Sequence, residues 1–386
     1  MEAVIVSAVR TAIAREAGAM RSLLPQQYGA AVMKEALRRA NLDGSQIDDV
    51  VMGNCLAGGG NMARLTLLEA GLPLDISGFT IDRQCGSGMN AVGLAAEGIW
   101  SGRGEIFIAG GTESMTHRPF MMARVEKAFD RNPPRFVNAR LSPDSIGNPP
   151  MGITAENLAE KYSISREEQD QFALESQQKM ARAMQEGRFK EQILPLTIKE
   201  GKNEFVFDTD EHPRPGTSME ALSKLPPAFK QGGSVTAGNS SGINDGAAAL
   251  VIMSRQKAES LGLEILAKVT AYDVAGVDPN IMGIGPVPAV QKLLKRTGLQ
   301  LDQIDLIELN EAFAAQVLAC NRELKMDMSK VNVNGGAIAH GHPIAATGAI
   351  LVTKMVYEMK RTDAKRGIVT ACIGGGQGIA VLIERG

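Results

Sequence analysis

The chain repeats itself at a spacing of 257 residues. Residues 37–52, LRRANLDGSQIDDVVM, lie without gaps on residues 294–309, LKRTGLQLDQIDLIEL; Arg39 falls on Arg296, Leu42 on Leu299, Gln46 on Gln303, Ile47 on Ile304 and Asp48 on Asp305. Each copy reads as the end of a helix, a turn and a strand. A chain built from two such halves is expected to form an α/β architecture of two similar layered domains, with functional groups at strand ends.

The same spacing carries Cys85 onto His342. Cys85 stands in IDRQCGSGMN, between the strand-like GFTI and the small-residue helix GSGMNAVGLAAEGIW; His342 precedes a second such helix, PIAATGAILVTKMVYEM. A thiol at a helix start faces unpaired N–H groups and partial positive charge, which favour its thiolate. Taken alone, a free cysteine is about as often a small buried hydrophobe. Gly88 falls on Ala345 and Ala91 on Gly348, so both helices carry small side chains where they would touch. The expectation is a central helix pair that brings Cys85 and His342 together. Further on, GEIFIAGGTES from Gly104 resembles GIVTACIGGGQG from Gly367, an offset of 263 that places Ala109 with Cys372.

Between the halves the character changes. Prolines cluster in GNPPMG, EHPRPG and LPPAF, and Ser165 with Glu168 has the spacing of a capping box at the start of a long amphipathic helix. The stretch VTAGNSSGINDGAAALVIMS then reads as a glycine turn, a small-residue helix and an apolar strand. The expected organisation is residues 1–114 with 243–266 as the first core half, 115–242 as an inserted covering domain, and 267–386 as the second core half.

A net charge of −2 offers no basic field for nucleic acid or an anionic membrane. No apolar run approaches a membrane span, and the start MEAVIVSAVRT alternates like a strand rather than a signal peptide, so a cytoplasmic protein is expected. The four cysteines (Cys55, Cys85, Cys320, Cys372) form no CxxC pair, and of the four histidines only His340 and His342 are neighbours. Reduced thiols and no metal are expected. Cys55 and Cys320 are read as packing residues, and His340 as a neighbour without a chemical role.

Four motifs converge: Cys85 at its turn, Asn310-Glu-Ala-Phe-Ala314 after the strand LIEL, Gly341-His342-Pro343, and Cys372-Ile-Gly-Gly-Gly-Gln-Gly378. Together with NVNGGAIAHGHPIAATG and TAGNSSGINDGAA they resemble the thiolase family, acyl-CoA:acetyl-CoA acyltransferases, from end to end. The resemblance implies a thiolase-like duplicated layered fold with central buried helices and an inserted domain that helps to bind coenzyme A. It implies Cys85 as nucleophile, His342 as its base and an oxyanion-hole member, Cys372 as acid and base, Asn310 as holder of an oxyanion-hole water, and Gly374 as a backbone donor. Coenzyme A is then substrate and product, with no permanently bound cofactor. Its contacts carry over to Ser241, Met151, Phe229, Met282, Ala312 and Phe313, with Arg214 near the nucleotide. A homodimer core, doubled to a tetramer by the inserted region, is also implied. Each role has a plainer rival: Asn310 could cap the following helix and Cys372 could be core. A decarboxylating ketoacyl synthase and a non-catalytic lipid-binding relative are the alternatives of function; a second cysteine argues against the first. Pro150, where many acetoacetyl-CoA-specific members carry histidine, and the methionines Met115, Met121, Met122, Met151, Met219 and Met282 raise the expectation of a pocket for chains longer than four carbons.

Overall fold

The computed structural model describes residues 1–386 except Gly58, Glu126, Asp130 and Arg131. Among the described residues nine strands form the path of the main sheet: β1 Ala3–Thr11, β2 Asp49–Gly53, β3 Ser77–Ile81, β4 Ile106–Glu113, β5 Asn244–Ser254, β6 Ala267–Gly276, β7 Leu306–Leu309, β8 Arg366–Ile373 and β9 Gln377–Arg385. Their order is β7-β8-β9-β6-β1-β5-β4-β2-β3, with two-residue strands at Ala14–Arg15 and Ile193–Leu194 pairing off this path. The halves meet where β1 runs antiparallel to β6, and the order on one side mirrors the order on the other.

The repeat is visible element by element. Helix α1 (Pro25–Arg39) leads through a 3₁₀ turn at Gly44–Gln46 into β2, and the helix Pro286–Thr297 leads through a 3₁₀ turn at Leu301–Gln303 into β7. Asp48 accepts N–H bonds from Glu105 and Ile106, at 2.7 and 2.9 Å; Asp305 accepts them from Lys365 and Arg366, at 2.8 and 2.9 Å. Even the outer strand β3 has a counterpart in the lone parallel bridge between Ile307 and Val331. The register corrects one alignment: Asp49 faces Phe107 while Leu306 faces Gly367, so β4 and β8 correspond at an offset of 260. Thr112, not Ala109, therefore occupies the place of Cys372. The three-residue difference arises because pairing to β2 and β7, rather than glycine content, fixes the register.

Three apolar clusters define the layers. Val4, Val50, Ile108 and Val251 face α1 on one side of the first half, and Ile368, Leu382 and Ile307 face the second half's outer helices. Between the halves, Ile5, Phe107, Leu250, Val369 and Val381 close on two helices, α2 (Ser87–Trp100) and α3 (Ile344–Thr362). These helices are buried nearly all round, which their alanines and glycines permit. A Cβ on Gly88 would lie 2.6 Å from the Ala349 backbone nitrogen, so the two helices meet backbone to backbone there. Lys354 on α3 is buried against Glu308 on β7 at 2.9 Å.

In the second half β8 turns to β9 through Gly374–Gly376; in the first half the corresponding β4 pairs antiparallel with β5 across the long insertion. Within it the Ser165 hydroxyl accepts the Glu168 N–H at 3.1 Å and the Glu168 carboxylate accepts the Ser165 N–H at 2.7 Å, starting the helix Arg166–Gln185. The small-residue helix expected in GINDGAAALVIMS does not form: Asn244–Ser254 is one fully buried strand. Its alanines are small because α1 packs on one face and the central helices α2 and α3 on the other, not because the segment is helical.

Candidate active site

Cys85 lies in a 3₁₀ turn, Gln84–Gly86, between β3 and α2. Gln84 takes φ 43°, the left-handed region that few side-chain-bearing residues adopt, and the turn is tied down accordingly. Asp82 accepts the Gln84 backbone and amide N–H groups at 3.0 and 2.9 Å, and the Ser87 hydroxyl accepts the Arg83 N–H and donates to the Gln84 carbonyl at 2.9 and 2.7 Å. The thiol is left half-buried, as an attacking group requires.

His342 is held from three sides. Its N–H donates to Asn244 Oδ1 at 2.9 Å, and Asn244 in turn donates to the Ala14 carbonyl at 2.9 Å. The preceding Gly341 has φ 98°, and a Cβ there would run into the Asn244 side chain. On the ring, Nδ1 lies 2.6 Å from Thr347 Oγ1, while Nε2 lies 3.3 Å from Cys85 Sγ and 3.4 Å from Asn310 Nδ2. Asn310 is fully buried just beyond β7. It is not a helix cap, since the next helix, Ala314–Leu324, starts from Phe313. Its Oδ1 is buried without a hydrogen-bond partner among the described residues.

Electrostatics amend one expectation. Burial pushes the Cys85 thiol up to about 11, against the pull of the Gly374 and Cys85 N–H groups. The N–H groups of the β8–β9 turn and of Cys85 itself thus moderate the shift without reversing it. Burial also pushes His342 down to about 4. A neutral thiol therefore faces a neutral imidazole, an arrangement in which a proton could pass between them only as the sulfur reacts. Cys372, fully buried, is held well above the ordinary thiol range by burial first and then by Cys85 and Cys320.

Several residues singled out for coenzyme A contacts gather around that thiol. Cys372, Met282, Ala312 and Phe313 share one apolar cluster, with Met151 packed on it. Phe229 meets Phe313 edge-on with ring centroids 6.1 Å apart, and the Ser241 N–H donates to the Ala312 carbonyl at 2.9 Å. Arg214 is exposed, its backbone N–H held by Gln177 at 2.9 Å, and among the described residues it is not a member of this cluster. Of the six methionines, only Met151 and Met282 reach it; Met121 and Met122 are exposed on a two-stranded hairpin with Phe136 and Val137. Cys320 is buried in the outer core and donates to the Gly283 carbonyl, and Cys55 sits 3.4 Å from the Ser87 hydroxyl. Sequence reasoning passed over Asn244, Thr347 and Leu141, whose side chain comes within 3.0 Å of where a Gly374 Cβ would stand. Only Thr347 had a legible signal, lying in the first turn of the helix that follows His342.

The family model of the thiolase N-terminal domain matches residues 3–256, and that of the thiolase C-terminal domain matches residues 263–385. Acetyl-CoA acetyltransferase of Pseudomonas aeruginosa is 48% identical over 390 residues, covering 100% of this chain and 99% of its own. That of Escherichia coli is 48% identical over 388 residues, covering 99% and 98%. Among solved structures, the Bacillus anthracis acetyl-CoA acetyltransferase superposes with a TM-score of 0.95 at 44% identity, and human mitochondrial 3-ketoacyl-CoA thiolase with 0.94 at 40%; each match covers 100% of this chain and 98% of the other. With both halves matched and relatives of nearly half identity along its whole length, the chain belongs to the thiolase family.

Proposed function

We propose that this chain is an acyl-CoA:acetyl-CoA C-acyltransferase working through an acyl group on Cys85, in thiolysis of 3-ketoacyl-CoA and in the reverse Claisen condensation of acetyl-CoA. The observation that carries the reading is the 3.3 Å approach of His342 Nε2 to the Cys85 thiol at the facing starts of two buried helices. In condensation Sγ attacks the thioester carbonyl of acetyl-CoA, its proton passes to Nε2, and the C–S bond breaks to a coenzyme A thiolate that takes the proton of Cys372; in thiolysis Sγ attacks the 3-keto carbonyl, the C2–C3 bond breaks, and the acetyl-CoA enolate leaves. The oxyanion is held by the backbone N–H groups of Cys85 and Gly374, which already point at the sulfur. Left as a thiolate once its proton has gone to the departing coenzyme A, Cys372 then removes the α-proton of a second acetyl-CoA. The enolate oxygen is then held by protonated His342 and by a water on Asn310. In thiolysis Cys372 returns that proton, a role suited to a thiol that rests protonated.

Coenzyme A is substrate and product here. Ser241, Met151, Phe229, Met282, Ala312 and Phe313 are proposed to contact its pantetheine arm and acyl group, with Arg214 toward the nucleotide. The segments 1–114 with 243–266, 115–242 and 267–386 act as two core halves and a cover. Relatives named for acetyl transfer weigh against both a decarboxylating synthase and a non-catalytic lipid binder. With four of six methionines away from the Cys372 cluster, the argument for long acyl chains loses most of its members, and the four-carbon reaction is the one proposed. A preference for acetoacetyl-CoA over 3-ketohexanoyl-CoA above about a hundredfold in kcat/KM is the expected result; parity points to the wider pocket.

Homodimers are proposed to form through β3, the outermost strand, where Leu74 and Phe79 are exposed and no described strand covers the edge. The apolar hairpin carrying Phe120, Met121 and Phe136 is proposed to join dimers into tetramers. Four free thiols fit a cytoplasmic setting. The central test is peptide mapping after incubation with acetyl-CoA. An acetyl group on Cys85 is expected, and one found on Cys372 or Cys320 overturns the assignment.

A further inference from the structure

We propose that Thr347 is a positioning residue that fixes His342 as the Nδ1–H tautomer; the inference rests on the reading of His342 as the base for Cys85. Thr347 is fully buried in the first turn of α3. Its Oγ1 lies 2.6 Å from His342 Nδ1 and 3.0 Å from the Pro343 carbonyl oxygen. A hydroxyl has one proton, and a carbonyl can only accept. That proton is used in the helical back-bond from Oγ1 to the Pro343 carbonyl, and with the O–H so engaged the short contact to the ring is satisfied when Nδ1 carries a hydrogen and donates it to Oγ1. The Pro343 oxygen also takes the N–H groups of Ala346 and Thr347, each at 2.9 Å, so the helix start itself holds the acceptor in place.

The consequence falls on the other nitrogen. With the hydrogen on Nδ1, Nε2 presents a lone pair to the Cys85 thiol at 3.3 Å and to the Asn310 amide at 3.4 Å. In the opposite tautomer an Nε2–H would point at the amide nitrogen, donor against donor, and the thiol would lose its acceptor. Burial keeps the ring neutral, so the choice between tautomers is the choice between an active and an idle base. A carboxylate behind the ring, as in hydrolase triads, orients it and stabilises its charged form as well. A neutral hydroxyl orients the ring without adding negative charge.

The test uses full-length protein labelled with ¹⁵N-histidine, the His342 signals being assigned by their loss in His342→Asn. Wild type is expected to show Nδ1–H. Thr347→Val, which keeps the shape and removes the hydroxyl, is expected to shift His342 toward Nε2–H and to slow acetylation of Cys85 by acetyl-CoA about tenfold or more, with KM changed less than about twofold. Thr347→Ser should restore the Nδ1–H signal and most of the rate. A Thr347→Val protein that keeps Nδ1–H overturns the proposal, as does a Thr347→Ser protein as slow as the valine variant. Should wild-type Cys85 take up no acetyl group, the functional reading falls instead, and the histidine spectra still decide the tautomer.

Discussion

At the scale of single residues, two cysteines of opposite accessibility are proposed to divide the chemistry. Cys85→Ala should abolish turnover with the thermal transition preserved, because one small half-buried side chain is lost. Cys372→Ala should still accept an acetyl group on Cys85 but lose exchange of acetyl methyl protons with solvent, a defect of about 10²–10⁴-fold. Normal exchange in that variant would remove Cys372 from the mechanism. The pH profile follows from the neutral pair: His342 is a free base above about 4 and Cys85 keeps its proton below about 11. Single-turnover acetylation should therefore stay level between roughly pH 5 and 10, losing rate below that as His342 protonates. A step near the ordinary histidine range, about 6.5, would show that the ring is less shielded than its burial implies.

At the scale of elements, the buried Lys354–Glu308 pair ties central helix α3 to β7, and Gly335 supplies the lysine a second acceptor at 2.8 Å. Lys354→Met strands a carboxylate close to Glu311 and Glu358, and should cost about 3–5 kcal/mol in denaturant unfolding. Adding Glu308→Gln should recover a good part of that loss, since removing both charges removes the unpaired one. Such pairings were not legible in the sequence, because Lys354 sits in a helical pattern that gives no hint of which face meets a strand 46 residues away. The repeat, by contrast, announced the helix–turn–strand units and the meeting of Cys85 with His342. The Asn244–Ser254 strand was misread in part as helix because alanine runs favour helices until layers close on both sides. Asn244 escaped notice for a related reason: its bond to the His342 N–H joins residues 98 apart.

At the scale of the molecule, the exposed edge of β3 sets the expectation for assembly. Phe79→Asp on that strand should convert dimers to monomers in sedimentation, and an unchanged mass would place the interface elsewhere. Phe120→Asp with Phe136→Asp, which splits a ring pair 5.6 Å apart at the hairpin, should reduce tetramers to dimers and leave the β3 contact intact. The position of β1 has its own consequence. It precedes the other strands of this sheet along the chain, yet it lies in the middle of the sheet, where Ala3 waits for both Ser254 and Val269. At ribosomal rates of about 5–20 residues per second, that interval lasts roughly 13–50 s. Throughout it the run AVIVSAV has no native neighbour on either side, so the nascent chain is a natural client for whatever shields apolar segments at the ribosome exit.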